Sequence, residues 1–218
     1  MILLSFEGLD GSGKSTQVRA LSDWLEGRGL RVEILREPGG TDVSESVRAI
    51  LLDPARSIEA FAELLLFSAA RAQLVAEKIR PLLNAGTVVL CDRFFDSTTA
   101  YQGFGREIAE PAWLDAFHRR VTGGLVPNRT YYIRVSPEVA RSRRNARAED
   151  DRMEASGAPF YKRVAAGYEW LARSEPERIL ELDGTRRQED IARAIREDVE
   201  RLLAGTGSAA PGSSRNSE

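Results

Sequence analysis

Residues 6–17 read FEGLDGSGKSTQ, at the end of the apolar run ILLSF at 2–6. From Gly8 to Ser15 the spacing is Gly-x-x-x-x-Gly-Lys-Ser, the phosphate-binding loop pattern. The chemistry needs that order. Glycines let the backbone curl so that successive N–H groups point inward at phosphate oxygens, and the loop then opens a helix whose N-terminus favours anions. Lys14 adds a charge for the outer phosphates, and the Ser15 hydroxyl is placed to ligate magnesium. A chance Gly-rich turn is the competing reading. It does not account for a strand before the loop and an amphipathic helix, TQVRALSDWLEG, after it. The stretch predicts binding of a nucleoside triphosphate by Gly8, Leu9, Asp10, Gly11, Ser12, Gly13, Lys14, Ser15 and Thr16.

Outward from this loop, short apolar runs alternate with longer helical patterns. ILLSF, RVEIL, TVVLC, TYYIRV and RILELD read as five strands, most of them apolar enough to be buried on both faces. Helices are predicted at about 15–26, 42–52, 57–84, 111–122, 137–147, 159–173 and 187–203. Such alternation predicts an α/β fold, a five-stranded parallel sheet flanked by helices on both faces, with ligands at the C-terminal strand ends. Residues 1–203 read as one domain. The segment 204–218, AGTGSAAPGSSRNSE, has almost nothing to bury and is expected to be disordered.

Composition narrows the function. A formal charge of -2 over 218 residues gives no argument for nucleic acid or a membrane surface as partner. No apolar run approaches membrane-spanning length, and no basic segment precedes the first one. The single cysteine, Cys91, cannot form an intramolecular disulfide and suits a reducing, cytoplasmic setting.

Two further motifs fall at strand ends. VVLCDRF ends a strand in Asp92 and Arg93, delivering a carboxylate that can hold magnesium and a guanidinium that can grip a phosphate; a strand-end salt bridge is the plainer reading. EILREPGGT turns sharply after the second strand. A strained turn, with a cis Glu37–Pro38 bond as one way to build it, would aim Arg36 and Glu37 into the cleft, whereas an ordinary surface turn would leave them in solvent.

Together GLDGSGKST, REPGGT, VRAILLD, LLLFSAARAQLV and CDRFFDSTTAYQG resemble the thymidylate kinases in order and spacing, over roughly residues 1–203. The resemblance implies a P-loop nucleoside monophosphate kinase fold and transfer of the γ-phosphoryl of ATP to dTMP, with Mg2+ as cofactor at Ser15 and Asp92. It gives Phe67 the place of the ring that stacks on thymine. Arg71, four residues on and hence on the same helical face, would donate to the base. Without the family, Phe67 would read as a core residue. Arg36, Arg48 and Arg93 would surround the acceptor phosphate, with Glu37 and Pro38 in the same wall. Thr98 and Gln102 would contact the base, and Tyr101 would exclude a ribose 2′-hydroxyl. Asp10 resembles the carboxylate that meets the sugar 3′-hydroxyl and a catalytic arginine.

The charged run ARSRRNARAEDDRME corresponds to the family's lid over ATP, about 141–154, although alone it reads as a solvated helix face. The phosphate loop carries no arginine of its own, so the resemblance places the catalytic arginine in the lid, among Arg143, Arg147 and Arg152. Arg186, after the last strand, is a candidate for the adenine edge. His118 and Cys91 read as structural. The family is typically a homodimer packed through helices, and the apolar face at 58–75 fits either that or an internal core. Two rivals remain: a kinase of the same fold with another acceptor, and a nucleotide-dependent binding module with no acceptor. No Asn-Lys-x-Asp guanine signature is present to support a GTPase switch.

Overall fold

The structure, a computed structural model, describes residues 1–145, 152 and 156–207. Five strands, β1 (Ile2–Glu7), β2 (Val32–Arg36), β3 (Val88–Asp92), β4 (Arg129–Arg134) and β5 (Ile179–Asp183), form one sheet in the order β2-β3-β1-β4-β5. Every pairing is parallel. β1 and the first half of β3 are buried throughout, as continuous apolar runs require when helices cover both sheet faces. β2 and β5 are the edges and alternate or expose their side chains.

Period-two alternation divides β1 between the two layers. Ile2, Leu4 and Phe6 pack on Val18, Leu21 and Leu25 of α1 (Lys14–Glu26) and on Ile191, Ile195 and Val199 of α9 (Gln188–Gly207). Leu3 faces the other way, onto α3 (Ala60–Leu74) and α4 (Arg80–Asn84). A third cluster joins Tyr132 and Val135 to Phe160, Val164, Tyr168 and Leu171 of α8 (Gly157–Ser174). The remaining helices are α2 (Asp42–Leu52), the short α5 (Phe95–Thr98), α6 (Pro111–Thr122) and α7 (Pro137–Asn145). Because β1 lies between β3 and β4, the loop leaving it opens where the crossovers diverge, the crevice in which α/β sheets bind ligands.

Three helical expectations change. The predicted helix 57–84 starts at Ala60 and is interrupted by a π-helical turn, Val75–Ile79, before α4. Pro81 explains the wider turn: it has no N–H to give the carbonyl four residues back, and its ring crowds that oxygen. Residues 95–105, which showed no periodic pattern, form α5 and a π-helical segment, Thr99–Gly105. The last helix runs to Gly207 and so takes in the first residues of the expected tail; the rest of that tail lies outside the described residues. His118 is buried between Thr99 and the Phe95 ring, and burial drives its imidazole down to about 3, which keeps it neutral. Cys91 is buried on β3.

Candidate functional site

The phosphate loop takes its shape from the chain that surrounds it. Gly8 sits at φ +136°, and a Cβ there would lie 2.5 Å from the Ile133 carbonyl oxygen, so only glycine fits. Gly13 caps α1 at φ +105°, in the left-handed region. Inside the curl, Lys14 Nζ donates to the Gly8 and Leu9 carbonyls at 3.0 Å each and lies 3.7 Å from Asp10. Burial, and then Arg93, lower the Lys14 ammonium below its ordinary value, while Asp10 opposes them. The Ser15 hydroxyl donates to Asp92 Oδ2 at 2.6 Å, across the gap between the loop and β3.

Beside the loop is a cleft of about 360 Å³, within the range of small-molecule sites. Its walls include Lys14, Arg36, Arg48, Arg71, Arg93 and Arg144 against only three carboxylates, Asp10, Glu37 and Asp92. A chain of net charge -2 thus concentrates positive charge at this one place, which selects an anionic ligand.

Arg93 is the centre of the polar network. It takes φ +75°, a conformation uncommon outside glycine and frequent at functional sites. Its Nη1 donates to Gly8 O (2.9 Å), Ser97 Oγ (3.0 Å) and Tyr168 OH (3.0 Å); its Nη2 donates to Asp10 Oδ1 (2.6 Å) and Tyr101 OH (3.1 Å). Burial alone would raise the Asp10 carboxyl, but Arg93 and then Lys14 hold it well below the usual carboxylate range, so it is ionised.

Phe67, which also lines the cleft, is half-buried, and Arg71, 2 % exposed, lies one turn further along α3. Arg71 donates to Glu37 Oε2 (2.6 Å), Thr98 Oγ1 (2.9 Å) and the Phe94 carbonyl (3.2 Å). The Glu37–Pro38 peptide is cis, and Glu37 is buried in the cleft wall rather than exposed on a surface turn. Arg36 is exposed and paired with Glu45 (3.3 Å), and Arg48 donates to Pro38 O (2.9 Å). Gln102 lines the cleft and donates to Glu63 Oε1 (2.7 Å).

The predicted lid residues separate. Arg143, exposed on α7, donates to the Gly184 carbonyl at 3.1 Å and reaches Gly11 O at 3.4 Å, bridging the phosphate loop and the loop after β5. Arg147 lies outside the described residues. Arg152 is not brought to the phosphate loop: its Nη2 pairs with buried Glu63 (2.7 Å) and its Nε donates to Leu51 O (2.7 Å). Arg186 is exposed beyond β5 and does not line the cleft.

Five residues of the site escaped the sequence reading, Leu52 of the cleft wall among them. Arg144 lines the cleft with its guanidinium 4.4 Å over the Tyr161 ring, one helical step from Arg143 and therefore on a different face. The others are Ser97 and Tyr168, which accept from Arg93, and Glu7, which bonds both of those hydroxyls. The one signal for Glu7 was alternation, which puts a carboxylate inward at the end of a buried strand.

Burial pushes the Glu37 carboxyl up to about 7, against the pull of Arg71. Its Oε1 has no hydrogen-bond partner among the described residues. The folded chain therefore holds this proton more tightly than the unfolded chain does. The linked stability is complete below the ordinary value of 4.5 and is lost as pH rises through about 7. Ligand-free protein is expected to lose up to about 3 kcal/mol relative to Glu37→Gln across this window. Thermal melts of both proteins at several pH values check this, and parallel curves would contradict it.

Ser15 and Asp92 offer hard oxygen donors at the mouth of the cleft, and among the described residues no cluster of three or more His, Cys, Asp or Glu could hold a metal alone. That donor set fits a divalent cation completed by phosphate and water. Among the same residues no helix is long and apolar enough to cross a membrane.

The family model described as thymidylate kinase matches residues 6–195. A thymidylate kinase from Prosthecochloris aestuarii is 45% identical over 207 residues, covering 91% of this chain and 92% of its own. One from Deinococcus radiodurans is 43% identical and covers 89% and 94%. The crystal structure of thymidylate kinase from Ehrlichia chaffeensis superposes with a TM-score of 0.72 at 34% identity, over 93% of this chain and 98% of that one. With the phosphate loop, the parallel sheet and the cationic cleft agreeing with these matches, the chain belongs to the thymidylate kinase family.

Proposed function

We propose that this chain, acting as a single kinase domain over residues 1–203, transfers the γ-phosphoryl group of ATP to dTMP, giving dTDP and ADP, with Mg2+ as the divalent cation. The observation that carries the reading is the meeting, in one cleft, of a phosphate loop, the three arginines Arg36, Arg48 and Arg93, and the pair Phe67 and Arg71. An oxygen of the acceptor phosphate attacks the γ-phosphorus as its bond to the bridging oxygen of ADP breaks, and that electron pair leaves with ADP. Lys14 neutralises the outer phosphates, and the loop N–H groups cradle the rest. Ser15 and Asp92 would hold Mg2+, which supplies charge neutralisation on the phosphates. Arg93, fixed on Asp10, grips the acceptor phosphate with Arg36 and Arg48.

Phe67 stacks on thymine while Arg71, Thr98 and Gln102 meet its polar edge. Tyr101 closes the sugar pocket against a 2′-hydroxyl, and Asp10 takes the 3′-hydroxyl. Arg143 and Arg147 are the lid cations for the transferring group, and Arg152, engaged by Glu63, ties the lid to the acceptor side. The enzyme works in the cytoplasm, where its one thiol stays reduced. A second copy covers the exposed apolar residues Phe61, Leu65 and Trp113 of α3 and α6, giving a homodimer; a monomer in sedimentation velocity would contradict that.

ADP release with ATP and Mg2+ tests the reading across dTMP, dUMP, UMP, dCMP and dGMP. Strong stimulation by dTMP, less by dUMP and none by UMP is expected. Equal use of UMP would remove the role of Tyr101 and leave a kinase. No response to any acceptor would mean a nucleotide-binding module instead.

A further inference from the structure

Glu7 ends β1 with 0 % of its surface exposed, on the face that also carries Leu3 and Ser5. A buried carboxylate is costly unless its oxygens are fully paired. These are. Oε1 accepts from the Phe94 N–H (2.7 Å) and the Ser5 hydroxyl (3.1 Å); Oε2 accepts from the Ser97 hydroxyl (2.5 Å) and the Tyr168 hydroxyl (2.9 Å). Burial, and then Asp96, push the Glu7 carboxyl up from its ordinary value, and Arg93, the Ser97 hydroxyl and the Phe94 N–H pull against them.

The same two hydroxyls accept from Arg93 Nη1, each at 3.0 Å. A hydroxyl has one proton to give. The two hydroxyls also lie 2.9 Å apart, where either could donate to the other; with both protons directed to Glu7 instead, the lone pairs that remain face the guanidinium. We propose that Glu7 is the positioning residue for Arg93: through Ser97 and Tyr168 it fixes the direction of the bonds that hold Nη1 against the Gly8 carbonyl and so aim Nη2 at Asp10. Glu7 touches no substrate. Its influence on turnover rests on the role proposed above for Arg93, whereas its influence on the guanidinium does not.

Glutamine is nearly isosteric and reverses this polarity. With its amide oxygen toward Phe94 N–H, its NH2 group donates to Ser97 and Tyr168, and a hydroxyl proton is turned toward Arg93. In the other orientation the NH2 group faces the Phe94 N–H, donor against donor. Neither arrangement satisfies every group.

Two readouts separate the outcomes. In 15N-detected spectra of the ligand-free protein, the Arg93 Nη protons should be resolved in the wild type, since the guanidinium is clamped at both ends. In Glu7→Gln they should average through free rotation. Resolved signals in both proteins would overturn the proposal. In turnover with dTMP, Glu7→Gln should lower kcat by about 10- to 100-fold, with KM for ATP within about twofold. The same change made on a Ser97→Ala, Tyr168→Phe background should cost almost nothing further, because the relay is already gone. Full additivity would identify a generic packing defect and overturn the proposal. If Glu7→Gln does not fold, the Ser97→Ala, Tyr168→Phe protein carries the test alone: averaged Arg93 signals support the relay, and unchanged ones refute it. Absence of any dTMP-dependent turnover in the wild type would count against the functional reading, and the spectra would still decide on Glu7.

Discussion

Replacing Arg93 with lysine is expected to lower kcat for dTMP phosphorylation by about 10³-fold, although the charge is kept. The reason is geometric. Arg93 reaches five acceptors from two nitrogens that point in different directions: Gly8 O, Ser97 Oγ and Tyr168 OH on one side, Asp10 Oδ1 and Tyr101 OH on the other. An ammonium is a point donor with three protons and cannot span the two groups. Its longest reach would satisfy Asp10 or the floor of the site, but not both, and the acceptor phosphate would lose the planar fork that can hold two of its oxygens at once. Lysine tolerates the +75° φ no worse than arginine does, so the backbone strain is unchanged and the comparison isolates the side chain. Steady-state kinetics against both substrates check it. The loss should appear in kcat with KM for ATP little altered, because the phosphate loop itself is intact. A lysine variant within tenfold of the wild type would mean that only the charge at this position matters, and the positioning argument for the whole network would fail with it.

The phosphate loop could be read at once because its geometry dictates its spelling: glycines where φ is positive or a Cβ would clash, then the lysine and serine that open α1. The sheet could be read because the middles of β1, β3 and β4 are buried and so appear as short, mostly apolar runs. What stayed hidden depends on direction and on distance. Arg143 and Arg144 are adjacent in the chain and chemically identical, yet one helical step sends the first to the loop after β5 and the second over Tyr161 into the cleft. Arg152 looked like its lid neighbours until Glu63, distant in sequence, claimed it. Glu63 itself is 0 % exposed and gathers Gln102, Arg106 and Arg152, a clustering that no local pattern encodes. The π-helical turns at 75–79 and 99–105 were equally invisible, since they keep no period to recognise.

Arg71→Met should have the largest effect on the folded state. Arg71 and Glu37 are both almost wholly buried, with side chains 1% and 3% exposed, and they pair at 2.6 Å. Methionine fills much of the volume but leaves Glu37 without the guanidinium it pairs with, and the Oε1 of that carboxyl already has no partner among the described residues. Removing one member of a buried pair typically costs about 3–5 kcal/mol; here Glu37, already pushed up to about 7 by burial, loses the guanidinium that pulls it down and must take up a proton to stay buried. Thr98 Oγ1 and the Phe94 carbonyl lose a donor as well. For a chain of this size the melting temperature should fall by about 10 °C. The double variant Arg71→Met, Glu37→Gln should recover a good part of that, since no buried carboxyl is left to be protonated; recovery of stability without recovery of dTMP affinity is the signature expected if Arg71 also meets the base. In that double variant KM for dTMP should stay raised by at least about tenfold while the fold is again sound. If affinity returned together with stability, Arg71 would be a strut for the cleft wall and Phe67 would be left as the pocket's main contact with thymine.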